Sequence, residues 1–182
     1  MRLNRAWIES RIPHHGRMCL LDEVIAWSAA RVSCRSSTHR EADNPLRAYG
    51  RLGIACGIEY AAQAMAVHGA LVAGGAAAAG ADLDRAVAPA TEAPDARAPD
   101  AGFLAAVRDV RFHSLRLDDV QGDLICDAVR MAGDATTALY EFELRSEAAL
   151  LLRGRATVVF DAGLYPSIRT ARLNTQTGSK DE

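Results

Sequence analysis

The sequence predicts an α+β domain in which one long, buried helix lies along a curved antiparallel sheet. Three observations carry this reading. From Ile54 to Ala73 the chain is almost wholly apolar or small, with Glu59 as the only formal charge, the pattern of a helix buried on most of its surface. Two short β-patterned stretches precede it, and four longer ones follow residue 101.

In chain order, Leu3 to Ser10 suits a helical turn or two, and Pro13 forces an extended approach to His14-His15-Gly16. Met18 to Leu21 is apolar and is expected to enter the core. Val24 to Trp27 and Arg31 to Ser37 read as a hairpin turning at Ser28 to Ala30; in the second strand Val32 and Cys34 alternate with Arg31, Ser33 and Arg35. The twenty residues from Ile54 span roughly 30 Å as a helix, the width of a small domain. Residues 74–101 are rich in Ala, Gly, Pro, Asp and Arg, and Pro89, Pro94 and Pro99 forbid a long helix there, so this segment is expected to be a mobile surface insertion. Strands are then expected at Phe103 to His113, Asp123 to Met131, Thr137 to Arg145 and Ala149 to Phe160, as an antiparallel meander. Exposed sheet edges favour pairing with a second subunit.

The 182 residues, 49% of them hydrophobic, suffice for one core, placed at residues 1–160 with a polar tail over 161–182. The net charge of −2 comes from 21 basic and 23 acidic residues without a long block of one sign, which argues against nucleic acid as a partner. Cys19, Cys34, Cys56 and Cys126 are too scattered for a zinc site or a redox dithiol and read as reduced core residues. Neither a leader peptide nor a membrane span is evident, and a cytoplasmic enzyme or binding protein is expected.

Glu59 is the most informative position. A carboxylate in an apolar helix needs a partner or a task, and burial is expected to raise its pKa so that it can act as a general acid. The alternative is a partly solvated stripe. Gln63 lies one turn on, where it can bond the carboxyl or a substrate. His14 follows Pro13 in a loop before an apolar strand, a place for a rigid base or for a merely exposed imidazole. His68 should face away from Glu59 and is read as structural; His15 is a reserve polar contact; His39 and His113 read as surface or packing residues. Arg108 and Arg111 suit either an acidic partner or an exposed strand face, and Trp7, Trp27 and Tyr60 read as core.

Two motifs resemble a known family when taken together. Ile12-Pro13-His14-His15-Gly16-Arg17-Met18-Cys19-Leu20-Leu21-Asp22-Glu23-Val24 is similar to the Pro-His step followed by Leu-Leu-Asp-x-Val of the hotdog-fold 3-hydroxyacyl-ACP dehydratases, and Gly57-Ile58-Glu59-Tyr60-Ala61-Ala62-Gln63 is similar to their helix motif. Closer still are the dehydratase-like hotdog proteins of aryl polyene type clusters. The resemblance implies a hotdog fold and a 3-hydroxyacyl thioester substrate carried by acyl carrier protein. It implies His14 as base and Glu59 as acid, facing each other from different subunits of a homodimer or of a heterodimer with another hotdog subunit. It also implies substrate contacts near the backbone N–H of Gly57 and at Gln63, and needs no metal or organic cofactor. Two departures point to a specialised pathway: His15-Gly16-Arg17 replaces the usual aromatic and proline, and Leu52-Gly53-Ile54-Ala55-Cys56 replaces a Pro-Gly turn. A hotdog thioesterase, with the helix carboxylate activating water, and a partner subunit lending its fold to a more active one are the rival readings.

Overall fold

The computed structural model describes residues 3–73, 88–89, 102–134 and 136–160. Most of the expected insertion over 74–101 and the expected tail over 161–182 lie outside the described residues.

Helix α1 (Arg5–Glu9) is short and capped: Asn4 accepts the Trp7 N–H at 3.2 Å, and the Ser10 hydroxyl donates to the Trp7 carbonyl at 2.7 Å. Strands β1 (Glu23–Trp27) and β2 (Arg31–Ser36) form the hairpin. A single 3-10 turn over Ile54–Cys56 leads into α2 (Gly57–Ala73), so the first three residues of the expected helix wind more tightly. The remaining strands are β3 (Ala88–Pro89), β4 (Phe103–Phe112), β5 (Leu124–Gly133), β6 (Thr137–Arg145) and β7 (Leu150–Val159).

The sheet runs β3-β1-β2-β5-β6-β7-β4 and is antiparallel throughout. This corrects the expected four-strand meander. Only β5, β6 and β7 follow one another in space; β4 crosses to the far side and pairs with β7, because β5 already occupies the free edge of β2. Beside β1 lies the two-residue β3, with Ala88 opposite Trp27 and Pro89 opposite Ala26.

Strict alternation turns Val32, Cys34 and Ser36 of β2 and Ala138, Tyr140, Phe142 and Leu144 of β6 inward onto α2. The helix answers with Tyr60, Ala61, Ala64, Met65, Val67 and Leu71. Each large apolar side chain buried this way contributes roughly 1.5–3 kcal/mol. Buried polar groups are tied in: the Tyr60 hydroxyl lies 3.0 Å from Thr38 Oγ1 and accepts from Asn44 Nδ2 at 2.9 Å. All four cysteines are free thiols, three of them buried and Cys56 half-buried. Among the described residues no helix is long and apolar enough to cross a membrane. The fold is the hotdog, a sheet wrapped around one central helix.

Candidate active site

Two segments build the site, the loop from Ile12 to Leu21 and the first turns of α2. Ile12, Leu20 and Leu21 are buried anchors. Asp22 fixes the loop's exit, accepting the Ser37 N–H at 2.6 Å and the Ser37 hydroxyl at 2.7 Å while pairing with Arg5 at 3.0 Å. Met18 departs from expectation: it is exposed, because the 3-10 turn at Gly16–Met18 swings its side chain outward before the chain turns in at Cys19.

Gln63 locks this loop to the helix. Its carbonyl oxygen accepts the Leu20 N–H at 2.8 Å, and its amide nitrogen donates to the Met18 carbonyl at 2.8 Å and to Glu59 Oε1 at 3.0 Å. With all these bonds inside a fully buried side chain, Gln63 positions Glu59 and the loop. Its expected contact with substrate is replaced by these internal ones.

His14 Nε2 lies 3.2 Å from Glu59 Oε1 within the same chain. The pairing expected between subunits is therefore made in cis, since the loop held by Gln63 lays His14 directly over the first turn of its own helix. His14 Nδ1 is buried and has no hydrogen-bond partner among the described residues, so Nε2 is the nitrogen that can react. Both side chains keep partial access, 26% for His14 and 33% for Glu59.

The expected rise in the Glu59 pKa is overturned as well. Burial pushes it up, but the hydrogen bonds from His14 and Gln63 and the charge of His14 outweigh burial and hold the carboxyl below its ordinary value. The lowered pKa favours the carboxylate form of Glu59, whose Oε1 faces His14 Nε2 and Gln63 Nε2.

Gly57 lies elsewhere. Its Cα faces the sheet so closely that a Cβ would stand 2.3 Å from Leu152 Cδ2, and its N–H is taken up by the Ile54 carbonyl in the 3-10 turn. That N–H is not available to a substrate carbonyl. Of the other histidines, His68 is buried on the opposite side, with Nε2 3.1 Å from the Ser28 carbonyl and Nδ1 2.9 Å from the Tyr140 hydroxyl. A carbonyl only accepts, so Nε2 carries the proton, and burial lowers the pKa of this ring to about 4. His39 is buried against the Val120 carbonyl at 3.2 Å, while His15 and His113 are exposed.

From the pair a cleft of about 280 Å³ runs along α2. Its floor is Ala62, Ala66 and Gly69, which with Glu59 are the only residues not fully buried between Glu59 and Gly69. Phe103 and Leu104 of β4, Val158 of β7 and Phe160 wall it. This floor escaped the sequence reading: a spacing of three, seven and ten residues from Glu59 puts it on one helix face, but alanine is so common in α2 that the stripe does not stand out. A larger hollow of about 750 Å³ on the other side of the sheet is lined by charges of both signs, such as Arg111, Glu143 and Arg153, and lacks any such pair.

Residues 6–81 match a family model described as ApeP-like, ApeP dehydratase. No curated protein matches the chain. Among solved structures, the dehydratase heterocomplex ApeI:P from Xenorhabdus doucetiae aligns over 92% of this chain and 97% of that chain at 20% identity, with a TM-score of 0.67. Zebra fish thioesterase superfamily member 2 aligns over 88% of this chain and 99% of that one at 15% identity, with a TM-score of 0.51. The fold is shared with both, and the family that this chain resembles, through the stretch carrying His14, Glu59 and Gln63, is that of the ApeP-like dehydratases.

Proposed function

We propose that this chain is a dehydratase that removes water from a 3-hydroxyacyl thioester carried by acyl carrier protein, giving the trans-2-enoyl product in fatty acid, polyene or related lipid biosynthesis. The observation that carries the reading is the His14–Glu59 pair at the mouth of an apolar cleft. Elimination needs one group to take the proton alpha to the thioester carbonyl and another to protonate the departing beta-hydroxyl. The lowered Glu59 pKa favours a carboxylate that can serve as the base, facing His14 Nε2. Glu59 takes the alpha proton, a His14 imidazolium protonates the hydroxyl, and passage of the proton from Oε1 to Nε2 restores the pair. The assignment expected from the sequence, His14 as base and Glu59 as acid, requires that proton to have crossed first. Both routes start from one proton on the pair and give the same dependence on pH.

The partner is a second hotdog subunit, in a homodimer or a heterodimer. Strand β4 is an edge of the sheet, with Leu104 and Phe112 exposed at 40% and 48%, and a partner paired there would cover the open side of the cleft. Free thiols at all four cysteines fit a cytoplasmic place of work. One observation favours a second reading: an ionised Glu59 is also what a thioesterase uses to activate water.

The test is to incubate the purified chain, alone and with a second hotdog subunit, with 3-hydroxyacyl-ACPs and follow the products by mass spectrometry. Loss of one water, cut by about 10²–10⁴-fold in both His14→Ala and Glu59→Gln, supports the dehydratase. Free acid with free carrier thiol supports the thioesterase. Activity that needs the second subunit and survives both substitutions leaves this chain as a supporting partner.

A further inference from the structure

The structure assigns Phe160 the part of a stop at the far end of the cleft, setting the longest unbranched apolar chain that the site accepts. This rests on the cleft being an acyl site, as proposed above. Ala62, Ala66 and Gly69 present at most a methyl group, so the helix leaves a straight channel leading away from Glu59. Gly69 is ten residues beyond Glu59, about 15 Å along the axis at 1.5 Å per residue.

At that level the channel meets the ring of Phe160. A Cβ built on Gly69 would lie 3.3 Å from Phe160 Cε1, and one built on Gly102 would lie 3.2 Å from Cδ1 and 3.0 Å from Val158 Cγ1. The ring thus sits in a seat that two glycines leave open, one on the helix and one ahead of β4. The Phe160 N–H is bonded to the Thr136 carbonyl at 2.8 Å, which anchors the backbone behind the ring. An aromatic ring fixed at the end of a channel floored by small residues ends the path of a chain entering from the His14 side. The flanking lining of Phe103, Leu104 and Val158 is apolar, so what enters is hydrocarbon. Ala66, seven residues from Glu59, marks a nearer point at about 10 Å where a larger side chain would block the channel sooner.

The experiment measures two things on wild type, Phe160→Ala and Ala66→Leu. One is kcat/KM for dehydration of 3-hydroxyacyl-ACPs of increasing length, and the other is calorimetric binding of linear acyl-pantetheine amides of the same lengths, which needs no turnover. In Phe160→Ala the length limit moves upward, with affinity gained about four-fold for each further methylene buried. In Ala66→Leu it moves downward, so that the ratio of short-chain to long-chain kcat/KM and affinity rises. A length profile unchanged in both variants, with only a lower Tm in Phe160→Ala, overturns the inference and makes Phe160 a packing residue. A shifted binding profile in a chain that dehydrates nothing upholds the stop and overturns the dehydratase reading instead.

Discussion

Glu59 has three neighbours that decide its state: the apolar helix around it, His14 Nε2 at 3.2 Å and Gln63 Nε2 at 3.0 Å. The two donors win, and this makes Gln63 a positioning residue with a readable signature. Gln63→Leu removes one donor that lowers the Glu59 pKa, so the acid limb of the pH–rate profile should move to higher pH while kcat falls. The same change strands the Leu20 N–H and the Met18 carbonyl, each at a cost of about 1–3 kcal/mol, so Tm should fall as well. An unmoved acid limb with a lowered Tm would leave Gln63 with a purely structural part. His68 makes a separate prediction. Its pKa falls from 6.5 unfolded to about 4 folded, so the unfolded chain binds the extra proton first and stability is lost as pH drops from about 6.5 toward 4. The full loss is roughly 3 kcal/mol at 1.36 kcal/mol per pH unit. Thermal melts across that range should show it, and His68→Asn should flatten the slope.

At the scale of the element, α2 does two jobs with opposite faces. Its sheet side demands close approach at Gly57, where a methyl group would press on Leu152 and on Leu144 at 2.8 Å. Gly57→Ala should therefore cost about 1–3 kcal/mol by overpacking, seen as a lower denaturation midpoint with an unchanged m-value. The open face carries Glu59 and the cleft floor. The helix and the strands after residue 101 were legible in the sequence because period and alternation are local properties; the strand ends agree with the structure to within two residues, and the helix begins three residues later than expected. What was not legible depends on tertiary reach. Nothing local says that His14 lies over its own helix rather than a partner's, or that two donors reach Glu59 and reverse the effect of burial. The seat of β4 beside β7 was equally hidden, since strand alternation names no neighbour.

For the whole molecule, the in-cis pair means that a partner need not supply His14 or Glu59. In the proposed assembly the partner would cover the β4 edge and its exposed Leu104 and Phe112. Leu104→Glu combined with Phe112→Glu should turn a dimer into a monomer by sedimentation, with the helical circular-dichroism signal kept. An assembly unaffected by the double change would place the interface elsewhere.

The crossing of β4 to the far side of β7 also sets an order in time. Hairpins β1–β2, β5–β6 and β6–β7 close short loops, whereas Phe103 must find Val159 after the whole meander has been laid down. Pulse-labelled hydrogen exchange should show the β4 amides gaining protection last, after those of β5 to β7. Until then the chain has its helix and its His14–Glu59 pair but only part of the cleft's wall, so the docking of β4 completes the cleft and forms the edge proposed to meet a partner in a single late step.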